Sequence, residues 1–201
     1  MPTNNAWNSN IPVEISKGGT NATSMATSTG IVKYDGTSLV TSSTALIDSS
    51  NRMTNTSQPC FLAYLGSNAT NVTGDGTVYR VAFDTEAYDV GSNFTTGASA
   101  AFTAPVTGKY LLSVSVRWSV AVFTTNTFNV QIVTTARTYD CQLGYVSGSS
   151  NNSTISFSVL ADMSATNTAY VNFSCAGGTK TVSALGGASP VLTFFSGHLV
   201  C

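Results

Sequence analysis

The sequence predicts an all-β protein: a two-sheet sandwich over residues 58–201, preceded by an extended N-terminal arm over residues 1–57 with little regular structure. Three observations carry this prediction. Apolar residues make up 42% of the 201, enough for one sizeable core. From Cys60 onward, apolar and polar residues alternate with period two between turn signals, and no amphipathic helix of any length intervenes. Thr, Ser and Asn supply roughly a third of the chain, and these residues suit strands and turns better than helix interiors.

In chain order, residues 1–57 come first and read differently from the rest. Short apolar triplets such as Ile11-Pro12-Val13 and Gly30-Ile31-Val32 alternate with Gly18-Gly19-Thr20, Asp35-Gly36-Thr37 and Ser/Thr runs. Such triplets cannot bury a core of their own, and neither a heptad nor a Gly-X-Y repeat is present, so coiled-coil and collagen stalks are excluded. The segment reads as an extended or short-strand arm that orders against neighbouring chains, with Tyr34-Asp35-Gly36-Thr37 as a hairpin turn.

The head follows as a series of strands. The clearest runs from Tyr110 to Trp118, where Tyr110, Leu112, Val114, Val116 and Trp118 share one face and Ser113, Ser115 and Arg117 the other. Comparable alternation marks Phe61 to Leu65, Val78 to Phe83, Ala101 to Thr103, Phe128 to Val133, Ile155 to Ala161, Tyr170 to Cys175, Thr181 to Leu185 and Val191 to Val200. About nine strands without helices indicate two packed sheets. Phe83, Phe94, Phe102 and Tyr110 are spaced across turns rather than along one strand, as expected of aromatics converging on one interior from several strands.

Charge narrows the function. Only 8% of residues are Asp, Glu, Lys or Arg and the net charge is −1, so the chain offers no electrostatic footprint for nucleic acid or an anionic membrane. No apolar run is long enough for membrane insertion as a helix. With one His and nine acidic residues in all, acid–base catalysis lacks convergent groups, and we expect no enzymatic activity, no catalytic residues and no cofactor. His198 alternates with apolar neighbours in the last strand and reads as structural. Asp84, Glu86 and Asp89 form the one acidic cluster; lacking a calcium-loop pattern, they read as a solvated turn, and no metal site is expected. Cys60, Cys141, Cys175 and Cys201 form no CxxC pair and read mostly as free thiols, with Cys175 a core residue in step with Val171 and Phe173.

The spacing Phe83, Asp89, Phe94, Phe102, Gly108, Tyr110, Leu112 and Val114 resembles the signature of the complement C-one-q globular head, a relative of the tumour-necrosis-factor jelly roll. Phe61-Leu62-Ala63-Tyr64-Leu65 as first strand and Phe195-Ser196-Gly197-His198-Leu199 as last agree with it. The resemblance covers residues 58–201 and implies a jelly-roll head whose core includes Phe61, Phe83, Phe94, Phe102, Tyr110, Leu112, Val114 and Phe195. It also implies a homotrimer, and we expect the faces bearing Leu62, Tyr64, His198 and Val200 to meet near its three-fold axis. In that family the first and last strands run side by side, which would make Cys60 and Cys201 neighbours.

Residues Ile15 to Ser24, followed by Gly30 to Gly36, look like the arms that precede the distal domains of bacteriophage fibres. This resemblance implies a virion fibre or spike component assembled in the host cytoplasm. Its arm would attach to other virion proteins, and its head loops would contact a host-surface receptor or glycan. The alternative is a capsid decoration or cement protein that clamps neighbouring subunits.

Overall fold

The computed structural model of the chain describes residues 30–37, 39–119, 127–144 and 152–201. Contacts divide the chain into two units, Met1–Ser57 and Gln58–Cys201.

In the first unit, β1 (Gly30–Tyr34), β2 (Leu39–Ile47) and β3 (Met53–Asn55) form an antiparallel sheet in chain order. Turn chemistry closes both hairpins. Tyr34 pairs with Leu39, Gly36 takes the left-handed φ of +104°, and Thr37 N–H donates to Asp35 Oδ1 at 2.9 Å. At the second turn Asp48 Oδ1 accepts from the N–H groups of Ser50 and Arg52 (2.8 and 2.9 Å), an arrangement that asparagine and aspartate favour because the side chain imitates a backbone turn. Those bonds and the Arg52 guanidinium hold the Asp48 carboxyl below its ordinary range. The described arm is thus more regular than its composition suggests. It remains coreless, with Tyr34 and Met53 largely exposed.

In the second unit two sheets face each other. The first contains β4 (Cys60–Tyr64), β5 (Ala69–Thr73), β7 (Thr85–Val90), β10 (Gly108–Ser119), β13 (Asn152–Met163), β15 (Val182–Ala184) and β16 (Phe194–Leu199). Its spine is β10: β13 pairs along one side over its full length, while β16 and then β15 share the other side. β4 adds to β16, and β7 adds to β4 at the edge. The second sheet runs β12 (Thr138–Leu143), β11 (Thr127–Thr134), β14 (Thr168–Ala176), β9 (Ala101–Thr103), β8 (Phe94–Thr95), with β6 (Val78–Arg80) also on β14. From β9 onward the chain crosses repeatedly between sheets, and the first head strand lies beside the last.

Alternation explains the burial. Tyr110, Leu112, Val114, Val116 and Trp118 on β10 meet Phe128, Val130 and Ile132 on β11 and Val171, Phe173 and Cys175 on β14, all buried. Phe61, Phe83, Phe94, Phe102 and Phe195 are buried as well. Phe61 is their hub: its ring centroid lies 4.9 Å from Phe94, 4.7 Å from Phe102 and 5.1 Å from Phe195. Trp118 stacks on Phe128 at 4.6 Å, and the Tyr110 hydroxyl donates to the Val106 carbonyl at 2.8 Å. Gly197 is required by this packing, because a Cβ there would stand 2.7 Å from Phe61 Cε1 and 2.8 Å from Leu112 Cδ2.

The structure adds β5, β7, β8 and β12 to the strands expected from alternation. β7 passes through residues expected to form a loop, since Glu86 and Asp89 lie within it. An edge strand bonds on one side only and tolerates charge, so its sequence need not alternate.

Cys60 and Cys201 are free thiols, as are Cys141 and Cys175. β4 and β16 are antiparallel neighbours, but the residue opposite Cys60 is His198. Cys201 lies three positions further on, a displacement on the order of 10 Å along an extended chain, so strand register does not place the two sulfurs at bonding distance. Burial pushes the Cys175 thiol up to about 11, whereas Cys201 is exposed. Iodoacetamide at pH 8 is therefore expected to alkylate Cys201 in the folded protein and Cys175 only after denaturation. Peptide mapping that found Cys175 modified first would contradict this burial.

Candidate functional site

The two outer faces of the sandwich differ. On the second sheet, Asp140 Oδ1 accepts from Asn129 Nδ2 (2.6 Å) and Gln131 Nε2 (2.8 Å). Arg80 lies 4.0 Å from the Tyr170 ring centroid and donates to the Ser99 and Ala100 carbonyls. This is an ordinary solvated face whose polar groups bond to one another.

On the first sheet the outward positions fall into transverse rows, because directly opposed residues of an antiparallel pair point to the same side. One row is Val90, Cys60, His198, Leu111 and Leu160; the next is Tyr88, Leu62, Ser196, Ser113 and Ser158; the third is Thr85, Tyr64, Phe194, Ser115 and Ser156. None carries a formal charge other than the potential charge of His198. The Lys109–Asp162 ion pair lies beyond the first row, with Lys109 raised and Asp162 lowered by their mutual hydrogen bond. Arg117 lies beyond the third. Serine hydroxyls toward β13 bond across strands, Ser113 Oγ with Ser158 Oγ at 2.7 Å and Ser156 Oγ to Ser115 Oγ at 2.8 Å. Hydroxyls already paired lose less when water is removed. The β7–β4–β16 part is apolar and open: Tyr88 is 51% exposed, and Leu62, Tyr64 and Phe194 are half-buried.

A second incompletely covered surface lies where the sheets end together. β12 is the terminal strand of its sheet, and β13 pairs only with β10. Tyr139, Cys141 and Leu143 from β12, with Phe157 and Val159 from β13, pack against the core yet stay half-buried. They form an apolar seam along one side of the sandwich.

The structure therefore brings Leu62, Tyr64 and His198 to one outer face. Val200 lies past the end of β16, 49% exposed, with its N–H donating to the Lys109 carbonyl at 2.7 Å. The acidic residues do not converge. Asp84 Oδ1 accepts from Gly66 N–H and the Thr85 hydroxyl, Asp89 Oδ2 accepts from Phe94 N–H at 2.8 Å, and Glu86 is exposed on β7. Among the described residues no group of three or more His, Cys, Asp or Glu could hold a metal ion, and no helix is long and apolar enough to cross a membrane. Sequence reasoning missed Tyr88, Leu111, Phe194 and the seam. Phe194 next to Phe195 was their one visible signal, since adjacent strand residues must point to opposite faces.

No protein-family model matches the sequence, and no curated protein matches it. Solved structures do. The globular domain of zebrafish complement 1qA superposes with a TM-score of 0.52 at 15% identity, over 71% of this chain and 98% of that one. Eiger TNF from S. frugiperda gives 0.50 at 14% identity, over 72% and 92%. The head has the C1q and tumour-necrosis-factor fold. PRD1 vertex protein P5 is also similar, with a TM-score of 0.48 at 9% identity, over 71% of this chain and 97% of that one. At these identities the likeness is one of jelly-roll architecture, with β4, β16, β10 and β13 as consecutive strands of one sheet and β12, β11 and β14 of the other.

Proposed function

We propose that the chain is a trimeric structural component of a virion, a fibre or spike whose arm attaches to other particle proteins and whose head contacts the host-cell surface. The observation that carries the trimer is the uncharged outer face of β7, β4 and β16. A monomer would leave this face in water, and contiguous exposed apolar surface marks an interaction site. The β12–β13 seam is a second, different apolar surface on the same chain. Seating the seam of one copy on the face of the next is a heterologous contact, which makes a ring when the rotation between copies closes and a filament when it does not; the resemblance to the C-one-q head implies closure at three. Leu62, Tyr64 and His198 then lie at the contact, with Val200 at its rim.

Attachment to a particle rests on the arm. Its fibre-like sequence and exposed Tyr34 and Met53 suit a segment completed by other chains. Within the head, the loops at 66–68, 74–77 and 177–181 lie at the end opposite Gln58, and this end is the one we assign to host contact.

Light scattering tests the assembly: residues 58–201 are expected to be trimeric at micromolar concentration, and a stable monomer would overturn the reading. Deleting residues 1–57 is expected to leave the head folded but absent from purified particles, and particles that retain it would place the anchor elsewhere. The isolated head should also adsorb to host cells; a head that binds only intact particles and raises their heat resistance would mark a cement protein instead.

A further inference from the structure

His198 is the chain's one histidine. It is exposed on the outer face of β16, because Gly197 before it is buried against Phe61 and Leu112 and successive strand residues point to opposite sides. Cys60 on β4 and Leu111 on β10 stand opposite it, and Val90 and Leu160 complete the row. Lys109, two positions before Leu111, lies on the diagonal from His198 and is a cation that opposes a second one. The nearby carboxylates are engaged elsewhere. Asp162 and the Cys201 carboxylate both act on Lys109, Arg137 also acts on Asp162, and Asp89 points inward to the Phe94 N–H. Glu86 is further along β7, past Tyr88. The ion pairs among the described residues are Arg52–Asp48 and Lys109–Asp162, and neither engages His198.

In the proposed ring this face is covered by the seam of the next copy. The seam brings Tyr139, Cys141, Leu143, Phe157 and Val159, whose phenol and thiol are uncharged in weakly acidic water. Asp140 turns instead to the outer side of the second sheet, where Asn129 and Gln131 hold it. Imidazole is the side chain that changes charge between about pH 5 and 8. Neutral, it suits an uncharged contact; protonated, it has to leave water with no carboxylate to meet it, which is costly. We propose that His198 is a pH switch on assembly, the neutral imidazole letting the copies join and the imidazolium releasing them. A separated copy keeps the imidazole in water and binds the proton more readily, so the trimer weakens as the pH falls, and a ring of three repeats the penalty at each contact. The inference rests on the trimer reading and adds the condition under which the trimer comes apart.

Sedimentation of the full-length protein at graded concentrations, in equal salt at about pH 7.5 and about pH 5, reads the effect across the range in which imidazole gains its charge. The concentration for half-dissociation is expected to rise about tenfold or more at the acid pH and to recover when the pH is restored, with circular dichroism unchanged. Carboxylates ordinarily take their protons near about pH 4, below this window. His198→Gln keeps a polar side chain that cannot charge, and its trimer should be equally strong at both pH values. A wild-type trimer that is as strong or stronger at the acid pH, or a His198→Gln trimer that loosens as the wild type does, overturns the switch and leaves the trimer reading standing. A protein that stays monomeric at the neutral pH overturns both.

Discussion

Leu62→Asp is expected to convert the proposed trimer to monomers while leaving the head folded. Leu62 is half-buried on the outer face of β4, between Tyr88 on β7 and Ser196 on β16. In a single chain an aspartate there would keep its water and disturb no core contact, since Phe61 and Ala63 point the other way. At the contact between copies the carboxylate would be desolvated, and no lysine or arginine occurs in the surrounding rows to pair with it. An unpaired buried charge costs several kcal/mol, and a symmetric ring introduces three. The dissociation constant should rise by about a thousandfold or more, equivalent to about 4 kcal/mol. Gln142→Asp, on the exposed outer side of β12, makes the same charge change on the opposite sheet and should leave the trimer intact. Sedimentation at graded concentrations reads both variants, and an L62D trimer of unchanged strength would remove this face from the assembly.

Phe61→Ala carries the largest expected cost to the fold. Its ring stacks on Phe94 and Phe102 and meets Phe195 edge-on, joining β4 to β8, β9 and β16 and so both sheets to each other. Truncation of a buried phenylalanine costs about 3–5 kcal/mol against a total stability of roughly 5–15 kcal/mol for a domain. The melting temperature of the isolated head should fall by on the order of 10 °C. Gly197→Ala tests the same contact from the other side, because its methyl would press on the Phe61 and Leu112 side chains. Overpacking of this kind costs about 1–3 kcal/mol, and the cost should shrink in the Phe61→Ala background, where one of the two obstructions is gone. Strictly additive losses in the double variant would show that the two residues are not coupled.

Much of the head was legible in its residues because period-two alternation is a local signal. Tyr110 to Trp118 announced both the clearest expected strand and the side that would be buried, and the structure places Tyr110, Leu112, Val114, Val116 and Trp118 in the core. The edge strand β7 was not legible: Glu86, Tyr88 and Asp89 lack clean alternation, since an edge strand with one bonded side can carry charge on its free side. β12 was legible and missed: Tyr139, Cys141 and Leu143 alternate with Asp140 and Gln142 over as many residues as Phe61 to Leu65.

The sequence by itself determined that this chain is all-β, that its head has one aromatic core and that its surface carries little charge. Each of these follows from residue type and nearest-neighbour spacing. Which residues meet across strands was decided only by tertiary structure. β4 and β16 pair although the whole head separates them in the chain, and their register sets His198, not Cys201, against Cys60. The row of Val90, Cys60, His198, Leu111 and Leu160 is assembled from five strands. Backbone hydrogen bonds between strands are indifferent to side-chain identity; the register that aligns such a row is selected by the packing of Phe61, Gly197 and Leu112 on the opposite face, where a shift of one residue would turn the core to solvent.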